Sequence, residues 1–292
     1  MKTTIKEFAL SDTAAVIRKR MSVRNYAARP ISDEDYETIA RYAADPGRLT
    51  GPFGGITRLD LVKVTGAVSE KGIKLGTYGM IKNPQAYLVG VIPKDNNKTA
   101  LLDFGYAFEK LVLFLTDRGI GTCWMGGTFN RNSFGREINL ADHETIPCIT
   151  PIGYPQGKEG LLRSAMRTLV KADNKKGWSE LFCDGAFGRP LEEKAAGAFA
   201  LPVEMVRLGP SASNKQPWRL VLSEDRTAVH LYLAHTPNYS EVMQRTDMGI
   251  AMSHFELGCE AAGVEGSWVQ RDPQLALPDA RTEYIASWVV KA

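Results

Sequence analysis

Long apolar runs are missing from this sequence. The stretch Leu111 to Leu115 falls far short of the roughly 20 residues that a membrane helix needs, so no membrane partner is expected. The opening residues MKTTIKEFALSD lack the apolar centre of a secretory signal, and none is expected. Cysteine is scarce and scattered: Cys123, Cys148, Cys183 and Cys259 form no CxxC pair. That excludes a disulfide framework or a thiolate zinc site as a first reading and predicts reduced thiols in a cytoplasmic protein. The four histidines are equally dispersed and make no metal-ligand spacing, so no metal is expected. A charge bias is lacking too. With 36 basic and 33 acidic residues the net charge is +3, and no basic block stands out, so no nucleic-acid partner is expected.

What is present is a chain of 292 residues, which suits one large α/β unit or two similar halves. Ser11 or Asp12 is placed to cap a short helix, TAAVIRKR. Ser32 with Asp35 resembles a capping box ahead of EDYETIARYAA. A turn-rich stretch from Asp45 to Gly55 precedes the expected strands LDLVKV and AYLVGVIP. Asp103 to Arg118 has helical periodicity, with Phe104, Ala107, Phe108, Leu111 and Leu115 on one face. Cys148 to Tyr154 reads as a strand, and the basic run from about Leu161 to Trp178 as a helix. Glu192 to Arg207 reads as another helix. RLVLS and AVHLYLA, separated by Glu224-Asp225-Arg226, read as a hairpin. Asp247 to Ala262 is an amphipathic helix and EYIASWVVK the last strand.

Two segments match at a constant offset of 144 residues: Asp103 to Trp124 and Asp247 to Trp268. Upstream, Tyr26 and Arg29-Pro30-Ile31 resemble Phe187 and Arg189-Pro190-Leu191. Gly51-Pro52 before Arg58-Leu59 resembles Gly209-Pro210 before Arg219-Leu220. One match between two helices is within chance. Three in the same order indicate duplication on a domain-sized period, with halves expected at 1–160 and 161–292. Such halves should pack about a pseudo-two-fold axis.

Three segments carry candidate chemistry. Gly209-Pro210-Ser211-Ala212-Ser213-Asn214-Lys215-Gln216-Pro217-Trp218 is a small-residue loop that lets backbone approach a planar ligand, with two side-chain amides beside it. Composition alone makes it an ordinary turn. Arg20-Met21-Ser22-Val23-Arg24, if extended, points two cations and a hydroxyl one way, able to grip a phosphate. Taken alone, such a run is more commonly a solvated basic patch. Gly119 to Gly127 holds Met125, Gly126 and Gly127, whose backbone N–H groups can face a ligand edge, or the segment is simply a helix cap and turn.

In combination these segments resemble the nitroreductase-like FMN oxidoreductases, with their RxSxR/K segment, PSxxNxQPW loop and GxGxxWxGG segment. The resemblance spans nearly the whole chain, and the PSxxNxQPW loop is its most specific element. The first and third motifs lie in half one and the second in half two, as in the family's single-chain pseudo-dimer branch. The resemblance implies an α/β (α+β) fold with a mainly antiparallel central sheet flanked by helices, in two pseudo-symmetric halves. It implies FMN as cofactor, NADH or NADPH as electron donor, and a small-molecule acceptor such as a nitroaromatic or quinone. A flavin-binding protein without turnover, for storage or sensing, is the competing reading. By resemblance Arg20 and Ser22 hold the phosphate, and Arg24 lies nearer the ribityl and the N1–C2 carbonyl edge. Met125, Gly126 and Gly127 lie at the N5 and O4 edge. Pro210, Ser211, Ala212 and Asn214 line the isoalloxazine with Gln216 behind, and Arg163, or else Arg167, supplies a further cation. The flavin does the chemistry, so no catalytic residue is assigned. Half two has Cys183-Asp184-Gly185-Ala186 in place of the phosphate grip, and half one has Gly51-Pro52-Phe53-Gly54-Gly55 in place of the amide loop. One flavin per chain and a functional monomer are therefore expected.

Overall fold

The computed structural model describes residues 10–64, 80–94, 98–156 and 174–291. Asp12 caps α1 (Thr13–Lys19), its carboxylate accepting from the Ala15 amide, and Ser32 caps α2 (Asp33–Ala43) by accepting from Asp35 N–H. A single turn, α3 (Pro46–Leu49), follows. The strands of the first half are β1 (Arg58–Lys63), β2 (Ala86–Pro93), β3 (Gly121–Thr122), β4 (Glu144–Thr145) and β5 (Ile149–Gly153). The helices α4 (Lys98–Asp117) and α5 (Arg131–Glu137) lie among them. The second half holds α6 (Trp178–Leu181), β6 (Phe182–Asp184), α7 (Ala200–Leu208), β7 (Trp218–Leu222), β8 (Ala228–Ala234), α8 (Glu241–Ala262), β9 (Gly266–Val269) and β10 (Thr282–Val290). The helix expected over Glu192 to Arg207 is divided: a 3-10 segment, Glu193–Phe199, breaks at Gly197 with φ of 56°, and α7 starts after it.

The expected antiparallel sheet is present once in each half. The first runs β1-β2-β5-β3, with β4 on β2, and the second runs β7-β8-β10-β9, with β6 added beside β7. Strands that correspond through the repeat occupy corresponding places. Every pairing along the two four-strand paths is antiparallel, and β6 joins β7 in parallel.

The repeated helices α4 and α8 cross at their matching glycines. A Cβ on Gly105 would lie 2.2 Å from the Thr246 carbonyl oxygen, and one on Gly249 would lie 2.1 Å from that of Leu102. Only glycine lets the two backbones touch this way, and the contacts correspond residue for residue under the 144-residue offset. A Lys110–Glu256 ion pair at 2.9 Å also joins the two helices. The aspartates that open the repeat play matching parts as well. Asp103 accepts from the amides of Phe53 and Gly55 at 2.9 and 2.8 Å, while Asp247 accepts from Ala212 N–H at 3.0 and 3.1 Å. Each carboxylate pins the loop that leads to a matching strand of its own half, β1 for Asp103 and β7 for Asp247.

Candidate functional site

The chain leaves α1 at Arg20, whose N–H still closes the last helical turn on the Val16 carbonyl. It then runs extended alongside β3, with Ser22 bridged in parallel to Thr122 and Val23 N–H donating to the Thr122 carbonyl at 2.7 Å. Extended backbone alternates its side chains. Met21 and Val23 therefore join the apolar cluster around Tyr26 and Ile149, and Arg20, Ser22 and Arg24 are sent the other way. Arg24 is exposed and Ser22 half-buried. The Ser22 hydroxyl bonds to the Cys123 thiol, and burial holds that thiol above its ordinary range against the pull of Arg24 and Arg20. Arg20 carries its Nε into the interior, where it finds no hydrogen-bond partner among the described residues. Burial depresses its pKa, opposed by the fields of Glu109 and Cys123. A buried donor left unmet costs about 1–3 kcal/mol, so this is a group that a ligand would satisfy.

Met125, Gly126 and Gly127 divide by role. Met125 is core: its side chain is 2% exposed, and its N–H and C=O are both spent on Ile149 at 3.0 and 2.9 Å. Gly126 abuts the second half, where a Cβ would lie 2.1 Å from the Met243 sulfur. Its carbonyl is fixed by the guanidinium of Arg131, a residue outside all three motifs. Gly127 is exposed, and a Cβ added to it would meet nothing within 4 Å.

From the second half comes the loop after α7. Ser211 Oγ accepts from Gln216 N–H at 2.9 Å, and Asp247 holds Ala212 as described. Three residues that are not glycine, Ser213, Asn214 and Gln216, sit at φ of 50°, 53° and 50°. Such left-handed residues cost on the order of 1–3 kcal/mol each and gather at ligand clamps. Gln216 is 1% exposed and its amide is fully used. It accepts from Lys176 N–H at 2.8 Å and donates to the carbonyls of Asn174 and Asn214 at 3.3 and 3.0 Å. It ties residues 174–176 to the loop, a tie that Asn214 Nδ2 reinforces by donating to the Asn174 carbonyl at 3.4 Å, and Pro210, Ser211, Ala212 and Asn214 are all half-buried. Arg163 and Arg167 lie outside the described residues.

The fold brings these segments together from opposite halves. Lys175 of the second half feels the charge of Arg20 of the first, and both feel Glu109. Lys175, which no motif marked, donates through Nζ to the Gly209 carbonyl. Glu109 is wholly buried at the crossing of α4 and α8. Its Oε2 accepts from Trp124 Nε1 at 2.7 Å, and its Oε1 lies 2.9 Å from Nε2 of the equally buried His254. Asp247 is pushed well above the ordinary carboxylate range by burial, against the Ala212 amide and Lys175.

At the positions that correspond in the other sense, the arrangement is closed. Leu181, fully buried, stands where the repeat would put Arg20, and Asp184 is taken by Arg226 at 2.6 Å. Trp268, Trp288 and Phe255 pack tilted and edge-on at ring separations of 5.5–5.9 Å, and Phe53 packs on that same cluster. His235, Glu241 and Glu283 also converge, but Arg245 is bonded to both carboxylates at 2.5 and 2.8 Å, which makes that group a closed ion-pair network.

Comparison with known proteins agrees with this architecture. A solved structure from Thermotoga maritima MSB8, a "putative nitroreductase", superposes with a TM-score of 0.60 at 18% identity, covering 97% of this chain and 95% of that one. An FMN-dependent nitroreductase from Clostridium difficile R20291 matches 49% of this chain and 87% of its own at 21% identity and a TM-score of 0.39. A nitroreductase family protein from Clostridium novyi NT matches 62% and 97% at 19% identity and a TM-score of 0.42. No curated protein sequence matches. The family model described as "Putative TM nitroreductase" matches residues 12–259, most of the length, and the chain belongs to that family.

Proposed function

We propose that this chain is a cytoplasmic FMN-dependent NAD(P)H oxidoreductase, active as a monomer, in which residues 1–160 and 161–292 are two nitroreductase-like halves that together build one flavin site. The observation that carries this reading is the unpaired, buried Nε of Arg20, a phosphate-gripping group of one half held beside the strained amide loop of the other. The residues present fit the cofactor. Arg20 and Ser22 would hold the phosphate and Arg24 the ribityl side. The N–H groups of Gly126 and Gly127 would meet a ring edge, and Pro210, Ser211, Ala212 and Asn214 would line its face. Gln216 acts one step back by fixing the loop. Met125, with both backbone groups and side chain committed, serves by anchoring Gly126 and Gly127 on β5. Arg163 or Arg167 remains the proposed further cation.

When bound, FMN would supply redox chemistry between NADH or NADPH and a nitroaromatic, quinone or related electrophile. The chain's part is to bind, to orient and to exclude water. Family membership and the three motifs support this, and the filled aromatic cluster around Trp268 supports a single site. The test begins with flavin released on denaturation, counted per chain alongside the mass in solution, and one FMN on a monomer is expected. Anaerobic NADPH should then bleach the bound flavin, which separates an enzyme from a storage protein. Arg20→Ala should weaken FMN binding by about 1.5–3 kcal/mol, the worth of a charge-assisted contact. Two flavins per chain, or unchanged affinity in the variant, would defeat the assignment.

A further inference from the structure

Cations converge at the seam in excess of the acids available to them. Arg207 is neutralised, with Nε and its terminal nitrogen both 2.6 Å from Glu204. Arg20 and Lys175 are not: neither has a carboxylate within ion-pair distance among the described residues. The acids that face Lys175 are already engaged, Asp247 with the Ala212 amide and Glu109 with Trp124 and His254. The charged groups that act on Lys175 are thus Arg20 from the segment after α1, Arg207 from α7, Asp247 from α8 and Glu109 from α4. Lys175 Nζ donates to the Gly209 carbonyl, a bond that an uncharged amine makes as well as an ammonium.

We propose that Lys175 is a proton-uptake group of the flavin pocket: as the phosphate dianion of FMN enters beside Arg20, the Lys175 amine takes one proton from solvent and becomes an additional cation facing that phosphate. This rests on the flavin reading above. Burial, with the fields of Arg20 and Arg207, depresses the Lys175 ammonium to about 7, so near pH 8 the empty pocket holds mostly the neutral amine. A dianion beside it reverses the balance, since an opposite charge favours the charged form. The flavin phosphate is already a dianion there, because a phosphate ester loses its second proton near pH 6. The proton gained is therefore bound by the protein. Binding that takes up a proton weakens as pH rises, by close to tenfold for each pH unit over which the uptake is complete.

The experiment is calorimetric titration of FMN into flavin-free full-length protein near pH 8, in two non-phosphate buffers of different ionisation enthalpy. The difference in heat counts the protons taken up. Nearly one proton per FMN is expected for the native chain. Riboflavin, which lacks the phosphate, should bind without uptake. Lys175→Arg, charged at every accessible pH, should bind FMN with the uptake abolished and the affinity flat between about pH 7.5 and 9. Uptake that persists in Lys175→Arg, uptake with riboflavin equal to that with FMN, or no uptake in the native chain would each overturn the proposal while leaving FMN binding established. A native chain that binds no FMN at all would instead take the functional reading down with it.

Discussion

The proton between Glu109 and His254 can be located by elimination. The Met205 carbonyl 2.9 Å from Nδ1 can only accept, so Nδ1 carries hydrogen. Nε2 then faces Glu109 Oε1, and one proton must lie between them, as an imidazolium–carboxylate pair or as a neutral pair. The other oxygen of Glu109 is already accepting from Trp124. Glu109→Ala would strand Trp124 Nε1 and His254 Nε2 in the buried seam, and loss of one partner from a buried pair costs about 3–5 kcal/mol. Denaturant unfolding should show a loss of that size. Trp124→Phe, which removes a single bond and keeps the ring, should lose roughly 1–3 kcal/mol. None of this was legible in the sequence, because Glu109 sits in what reads as an amphipathic helix and its partner lies 145 residues away. Ser211, Asn214 and Gln216 could be singled out because their neighbours in sequence are also their neighbours in the loop. Lys175 could not, since its surroundings come from four separate elements. For the empty protein the sign of its effect follows. A lysine whose folded pKa is depressed, from 10.5 to about 7, adds stability that is full above pH 10.5 and lost as pH falls toward 7.

At the scale of elements, the helices of the repeat are where the pattern is both most and least informative. Their correspondence and C-terminal ends are legible in the sequence, though they begin at Lys98 and Glu241, ahead of the expected Asp103 and Asp247, and so are the hairpin β7–β8 and the capped starts of α1 and α2. The single apolar face is not the whole account. Polar residues such as Asp103, Glu109, Arg245 and His254 are buried on these helices, because each helix is covered on one side by sheet and on another by its counterpart, so both of its sides are enclosed. Shorter pieces, β4 and α5, escape because two to seven residues give periodicity too little length to register. The crossing itself makes a sharp demand. Gly249→Ala would put a methyl 2.1 Å from the Leu102 oxygen and 2.8 Å from the Tyr106 nitrogen. Both are backbone atoms with no rotamer to yield, so α4 and α8 must part. Overpacking of this kind costs about 1–3 kcal/mol or more, whereas Gly127→Ala, in open space, should leave the melting temperature nearly unchanged. Equal stability of the two variants would contradict the close packing.

At the scale of the whole molecule, two sheets of the same strand order stand on either side of one helical crossing, and the proposed site draws on residues of both halves. The ordered repeat makes the two halves legible. What it leaves out is how the positions that match the proposed site in the other sense are filled, since that depends on which aromatic rings point inward and not on which positions match. The contact of Gly105 with Gly249 also has a consequence in time. Backbone touching backbone leaves no side chain to swing aside, so the amides on either side of the crossing cannot be reached by solvent through a small local opening. Hydrogen exchange at residues 102–106 and 246–250 should therefore wait on global unfolding, and the two segments, one from each half, should share a single slowest rate. Two distinct slow rates would mean that the halves open independently. One rate means that the molecule keeps a single clock, set where its two halves lean on a pair of missing side chains.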